Sequence, residues 1–196
     1  MGHTELGRGS VAPPRSILLA DAGLLSGHSY ARNGGSRKGP VQDLDERALV
    51  DRVMVEWWDS AAHALPWAGM PLDDRYGELR RLAAALVAAA VATSGHTRDP
   101  QEPGARNGVI AAAIDHGRYR GHQGGTWELL LFELTFLSDA LRIAVRGSSL
   151  PPTVTSQFER ELAAGLRVAK PACSLGLREA AHEQSSSHRA LDGDLG

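Results

Sequence analysis

Five stretches of the chain repeat apolar residues at intervals of three and four, the spacing of a helix with one buried face. This pattern predicts helices over about 43–65, 74–92, 105–120 and 127–146, and a fifth helix that follows Ser149 and ends near Lys170. The period-two alternation and the hairpin turns typical of β-structure are missing from the pattern. We therefore predict an all-α fold, a compact bundle of about five main helices.

Turn-forming and capping residues separate the predicted helices. Pro66 ends the first helix, and a loop over 93–104 follows the second. Glycines over 117–125 weaken the end of the third helix and then break it, because each interior glycine costs about 1 kcal/mol relative to alanine. Asp43, Thr126 and Ser149 are placed to cap the first, fourth and fifth helices.

Both ends of the chain differ in composition from the predicted bundle. Residues 1–42 are rich in Gly, Ser and Arg and hold too few apolar residues to offset the entropy cost of ordering, which predicts a disordered arm. The bundle is expected over 43–170. Pro171 should end or kink the fifth helix, and the polar residues that follow predict a C-terminal tail over 171–196.

The fourth predicted helix is apolar on nearly all sides, as expected of a central helix covered by several others. Glu133 interrupts this apolar run. Because a carboxylate inside a helical bundle needs a compensating charge, we expect Glu133 to pair with Arg118 or Arg120 on the third helix.

The apolar stripe of the first predicted helix is unusually wide. Core packing accounts for such residues, but the stripe is wider than one small bundle can cover, and a surplus apolar face indicates a partner. We therefore predict a dimer or partner interface, with first helices packing together in a homodimer. The interface residues are Val50, Val53, Met54, Trp57 and Trp58.

Composition narrows the class of protein. The chain has 21 Lys and Arg against 23 Asp and Glu, so no basic excess supports a dedicated nucleic-acid binder. No apolar run reaches the roughly 18 to 20 residues of a membrane span. Cys173 is the single cysteine, which excludes an intramolecular disulfide. Without any signature of an oxidising compartment, we expect a cytoplasmic location.

The richest polar cluster, residues 115–124, shows no catalytic pattern. Asp115 and His116 point about 100° apart on a helix and cannot form a relay. No Ser or Cys nucleophile in a strained turn accompanies them, so we predict no enzyme activity and no catalytic residues. His116 and His122 are six residues apart, which does not suit a metal pair. His116 borders the apolar stripe, so it is either a ligand contact or a buried histidine bonded to a neighbouring helix.

The same region resembles a known family, the RsbRD-type N-terminal sensor domain of RsbT co-antagonist proteins. A Trp near the end of the first helix, followed by Leu65-Pro66, is similar to the opening of that domain. The positions that carry the stronger resemblance are His116, Gly117, Arg120, Gly124, Leu129, Leu130, Glu133 and Leu137. The resemblance implies a globin-like, dimeric module without haem that passes a signal to an output domain. The residues after Lys170 are too few for the usual output domain.

Together these observations predict a non-enzymatic sensory or regulatory module without a cofactor, which dimerises and binds a signalling partner protein in bacterial signal transduction. The candidate signal-responsive residues are His116, Arg118 and Arg120 at the junction of the third and fourth helices. The alternative is a globin-like protein that binds haem or another small ligand, with His116 or His96 as the haem ligand.

Overall fold

Five α-helices make up the part of the chain that the structure describes. In this computed structural model that part comprises residues 44–61, 64, 76, 78–94 and 103–193. The helices are α1 (Glu46–Ala61), α2 (Leu79–Ser94), α3 (Pro103–His122), α4 (Trp127–Arg146) and α5 (Pro152–Gly193). These ranges contain no strand, and the predicted all-α class is confirmed. None of the described helices has the length and apolar content needed to cross a membrane.

Local capping explains where several helices begin. Thr126 caps α4 as predicted, since its side chain accepts a hydrogen bond from the Leu129 amide at 3.4 Å. Asp45 caps α1, since the Ala48 amide donates to Asp45 Oδ1 at 3.0 Å. Asp43 itself lies outside the described residues. Ser149 does not cap the last helix, because α5 starts three residues later with Pro152 at its first position.

The predicted end of the fifth helix is wrong. α5 continues through Pro171 as far as Gly193. A proline inside a helix removes one backbone hydrogen bond, but packing against α3 offsets that loss, since Ala172, Cys173 and Ala180 are all buried. The bundle therefore extends well beyond residue 170, and most of the predicted C-terminal tail is helix. The predicted arm over 1–42 lies outside the described residues.

α3 and α5 approach each other backbone to backbone. A Cβ on Gly117 would lie 2.0 Å from the Cys173 carbonyl oxygen, and a Cβ on Gly176 would lie 2.0 Å from the Ile114 carbonyl oxygen. Both glycines therefore sit inside helices where no side chain fits. The glycines at 117 and 121 do not break α3, as the sequence had suggested, but permit its contact with α5.

The broad apolar stripe of α1 is covered by the chain itself. Val50, Val53, Met54 and Trp57 are buried in the common core, because α2 and α4 both pack against α1. Trp58 is partly exposed and meets Tyr76 edge-on. The predicted dimer or partner interface on α1 is therefore wrong for the four buried residues. The stripe is wide because it faces two helices of the same chain, α2 and α4, and not because it meets a second protein.

Candidate functional site

A glycine turn connects α3 to α4 and positions the charged residues at their junction. Gly124 has a positive φ of 75°, a conformation that glycine adopts without strain. The Gly125 amide donates to the Arg120 carbonyl at 2.8 Å, and the Gly124 amide donates to the Gly121 carbonyl at 3.0 Å. This is a Schellman motif, which ends a helix and satisfies its last carbonyls. The motif ends α3 soon after Arg120 and lets α4 begin at Trp127.

Three charged or titratable side chains meet in the interior behind this turn. His116 and Arg120 are four residues apart and share one face of α3, while Glu133 lies on the inner face of α4. All three have 0% relative exposure. Arg120 Nε donates to Glu133 Oε2 at 3.0 Å, and Arg120 Nη2 donates to Oε1 at 2.5 Å. Of the two partners predicted for Glu133, Arg118 and Arg120, the structure shows Arg120.

Two further contacts complete this buried cluster. Arg120 Nη1 donates to Gln123 Oε1 at 2.7 Å, so all three nitrogens of the guanidinium group have partners. Trp57 Nε1 donates to the backbone carbonyl of Glu133 at 3.4 Å. Through the buried side chains of Trp57, Arg120 and Glu133 the cluster connects α1, α3 and α4, while Gln123 is partly exposed.

His116 approaches Glu133 from the same face of α3 as Arg120. Its Nε2 lies 3.2 Å from Glu133 Oε2, within ion-pair distance when the imidazole is protonated. Neither ring nitrogen of His116 makes a hydrogen bond of normal geometry among the described residues. Burial raises the pKa of Glu133, but His116 and Arg120 together outweigh burial and hold that pKa below its ordinary value of 4.5.

Cys173 on α5 adjoins the same region. Burial raises the pKa of its thiol to about 12, and the negative charge of Glu133 acts in the same direction. The thiolate is the reactive form of cysteine, so the Cys173 side chain is a neutral packing group at neutral pH.

Arg118 does not join the buried cluster. Its Nη2 donates to Glu179 on α5 at 2.5 Å, and its Nη1 lies 3.4 Å from Asp115. The structure thus brings two of the three predicted signal-responsive residues together and places the third at the surface. The four-residue spacing of His116 and Arg120 was the available sequence signal. Nothing in the sequence indicated the contacts of Trp57 and Gln123.

His116, Arg120 and Glu133 present no surface to solvent. Ligation of haem by His116 would require Nε2 to leave Glu133. His122 Nε2 lies 3.2 Å from Glu183 Oε2 on α5. His96 lies outside the described residues. Within 44–61, 78–94 and 103–193, no group of three or more His, Cys, Asp or Glu side chains is arranged to hold a metal ion.

Three comparisons with known proteins found no match. No family model matches the chain, no curated protein matches it, and no solved structure matches it.

Proposed function

We propose that the chain is a non-enzymatic regulatory module of bacterial signal transduction that self-associates through the outward side of α4. The resemblance to the RsbRD-type sensor domain supports a regulatory role. In this proposal His116, Arg120 and Glu133 connect the interior of the bundle to α4. We call the outward side of this helix the α4 face. It consists of Glu128, Phe132, Thr135, Asp139, Arg142, Ile143 and Arg146.

Two exposed apolar side chains on the α4 face support a binding surface. Phe132 is 61% exposed and Ile143 is 47% exposed. They are eleven residues apart, three turns of helix, and so point in nearly the same direction. Apolar side chains aligned on one side of a helix are the anchors by which helices dock against a partner.

The charges on the α4 face favour a second copy of the same chain as the occupant. Glu128 lies near the start of the helix and Arg146 at its end. If two copies pack antiparallel about a two-fold axis level with Leu137, Glu128 of one copy meets Arg146 of the other. The same axis places Phe132 of one copy beside Ile143 of the second, because these residues are nearly equidistant from it. A face with this property is self-complementary, as a two-fold interface requires.

The buried cluster lies directly behind the α4 face. Glu133 is the residue next to Phe132, and it points inward where Phe132 points outward. A change in the charge or packing around Glu133 would shift α4 and therefore its exposed face. This proximity supports a switching mechanism in which the interior alters an interface.

Sedimentation analysis of matched variants tests self-association. Phe132→Glu places a charge on the α4 face, where Phe132 would lie beside Ile143 of the second copy. Val55→Glu is the control, because Val55 is 57% exposed on α1, away from that face. We expect the wild type and Val55→Glu to be dimers at about 50 µM and Phe132→Glu to be a monomer of unchanged helicity. A monomeric wild type, or equal behaviour of the two variants, would refute the interface.

A genetic experiment tests the regulatory role. The gene is removed from its source bacterium and restored as the wild type, Phe132→Glu or Val55→Glu, and transcript levels are measured. We expect a defined set of transcripts to change on removal and to recover with the wild type and Val55→Glu alone. Unchanged transcripts after removal, or full recovery with Phe132→Glu, would contradict the proposal.

A further inference from the structure

His116 is a buried titratable side chain that the proposed dimer interface does not use. It is completely buried, and its Nε2 lies 3.2 Å from Glu133 Oε2. Within the part of the chain that the structure describes, both ring nitrogens lack a well-aligned hydrogen bond. Buried polar atoms in folded proteins almost always have such a bond, so each exception needs a physical reason.

The carboxylate of Glu133 is already engaged by Arg120. Arg120 Nε donates to Oε2 at 3.0 Å, and Nη2 donates to Oε1 at 2.5 Å. With a neutral imidazole the three side chains hold one positive and one negative charge, which balance in the interior. A protonated imidazole adds a second positive charge, and the single carboxylate no longer balances the cluster. Because an unbalanced charge without access to water is costly, the protonated form favours a different arrangement.

The groups around His116 keep their own charges between pH 5 and pH 8, where histidine ordinarily titrates. On α4, Glu133 remains ionised, because its pKa lies below its ordinary value of 4.5. On α5, burial raises the pKa of the Cys173 thiol to about 12, so the thiol stays neutral. Arg120 on α3 stays charged, and α1 contributes the uncharged indole of Trp57. None of the buried residues of α2 is charged.

We propose that His116 is a pH-sensitive switch at the junction of α3 and α4. When it takes up one proton from solvent, the imidazole donates to Glu133 Oε2 and displaces Arg120 Nε, since two cations then compete for one oxygen. The Arg120–Glu133 pair is a buried contact between α3 and α4, so the loss of one of its two hydrogen bonds loosens the junction. The protonation of a buried histidine biases packed helices in this way.

The switch would give the proposed regulatory module an input. Glu133 is the residue next to Phe132 on α4, so a rearranged cluster changes the position of the α4 face. That consequence rests on the proposed function. The protonation of His116 and the rearrangement of the cluster do not depend on it.

A nuclear magnetic resonance titration of the full chain between pH 8 and pH 5 tests the switch, with isotope-labelled histidine and tryptophan. The Trp57 indole N–H reports on the cluster, because it donates to the Glu133 carbonyl at 3.4 Å, and Trp57→Phe identifies its signal. We expect the His116 ring to gain a proton in this range and the Trp57 signal to shift with the same midpoint. A His116 ring that keeps one charge state, or a Trp57 signal that stays constant while His116 titrates, would overturn the proposal.

Matched variants assign the shift to one histidine. His116→Gln keeps a polar side chain at this position that cannot take up a proton. His122 is the control, because it is exposed on the same helix and lies beside Glu183. We expect the Trp57 shift to be lost in His116→Gln and retained in His122→Gln, and its persistence in His116→Gln would contradict the switch. If His116→Gln does not fold, the wild-type titration decides alone.

A third variant separates the switch from the dimer interface. Phe132→Glu disrupts the α4 face and leaves the buried cluster unchanged. We expect it to show the same Trp57 shift as the wild type, so a failed dimer proposal leaves this test intact. Loss of the shift in Phe132→Glu would contradict a switch that operates within one chain.

Discussion

Arg120 and Glu133 form an ion pair with two hydrogen bonds in the interior, although 13 residues and a helix junction separate them in the chain. Such a pair contributes little net stability, because taking both charges out of water costs about as much as their attraction returns. Removing one partner is expensive, since the other charge is left buried. The pair therefore specifies how α3 and α4 are placed relative to each other more than it strengthens the fold.

Removing the carboxylate of Glu133 should be strongly destabilising. We expect Glu133→Gln to lower the free energy of unfolding by about 3–5 kcal/mol, because Arg120 then remains buried without a counter-charge. Urea denaturation followed by circular dichroism measures the change. Arg142→Gln is the matched control: it breaks the exposed Arg142–Asp139 pair and should cost at most about 1 kcal/mol.

Replacing both partners should cost less than replacing one. We expect the double variant Arg120→Met, Glu133→Leu to recover much of the stability lost in Glu133→Gln, because it leaves no unpaired charge in the interior. A loss below about 1 kcal/mol in Glu133→Gln would mean that the pair is not buried as the structure shows.

Acid should weaken the fold through Glu133. The pKa of this group is lower in the folded chain than its ordinary value of 4.5, so its contribution is present above pH 4.5 and is lost as pH falls through the folded pKa. We expect the free energy of unfolding to drop below about pH 4.5 in the wild type and less steeply in Glu133→Gln.

An exposed carboxylate provides the comparison for the acid effect. Asp59→Asn on the outer side of α1 should keep the wild-type pH dependence. The free energy of unfolding of the wild type and both variants is measured by urea denaturation between pH 3 and pH 7. Parallel curves for the wild type and Glu133→Gln would show that Glu133 does not carry the dependence.

The contact between α3 and α5 should not tolerate a methyl group at Gly117. A Cβ there meets the Cys173 backbone at 2.0 Å, so the helices must separate, and we expect Gly117→Ala to cost about 3 kcal/mol or more. Gly108 is the matched control on the same helix, since nothing lies within 4 Å of a Cβ built on it. Gly108→Ala should stabilise the chain by about 0.5–1 kcal/mol. Thermal unfolding that ranked the two variants the other way would contradict this packing.

The helices themselves were predictable because their signals are local. α4 occupies the predicted range and begins at the predicted Thr126 cap. An arginine partner for Glu133, either Arg118 or Arg120, was also predicted, since a carboxylate in an apolar helix needs a counter-charge. The apolar stripe of α1 was recognised, but a second chain was predicted to cover it, whereas α2 and α4 do so. Periodicity shows that a face is buried and does not show which surface covers it.

The end of α5 illustrates what the sequence leaves open. Pro171 and the polar residues after it indicate a helix end, and that local preference is real. It is overridden by contacts with α3, residues more than fifty positions away, where glycines let two backbones meet.

The amino-acid sequence by itself determined the helical class, most helix positions and the need for a partner at Glu133, because spacing, capping and charge act over a few residues. The tertiary structure alone decided that α1 is covered by its own chain, that α5 continues through its proline, and that Arg118 faces Glu179 while Arg120 faces Glu133. Those outcomes depend on which distant surfaces meet, and the packing energy of such contacts exceeds the local preferences that a sequence displays.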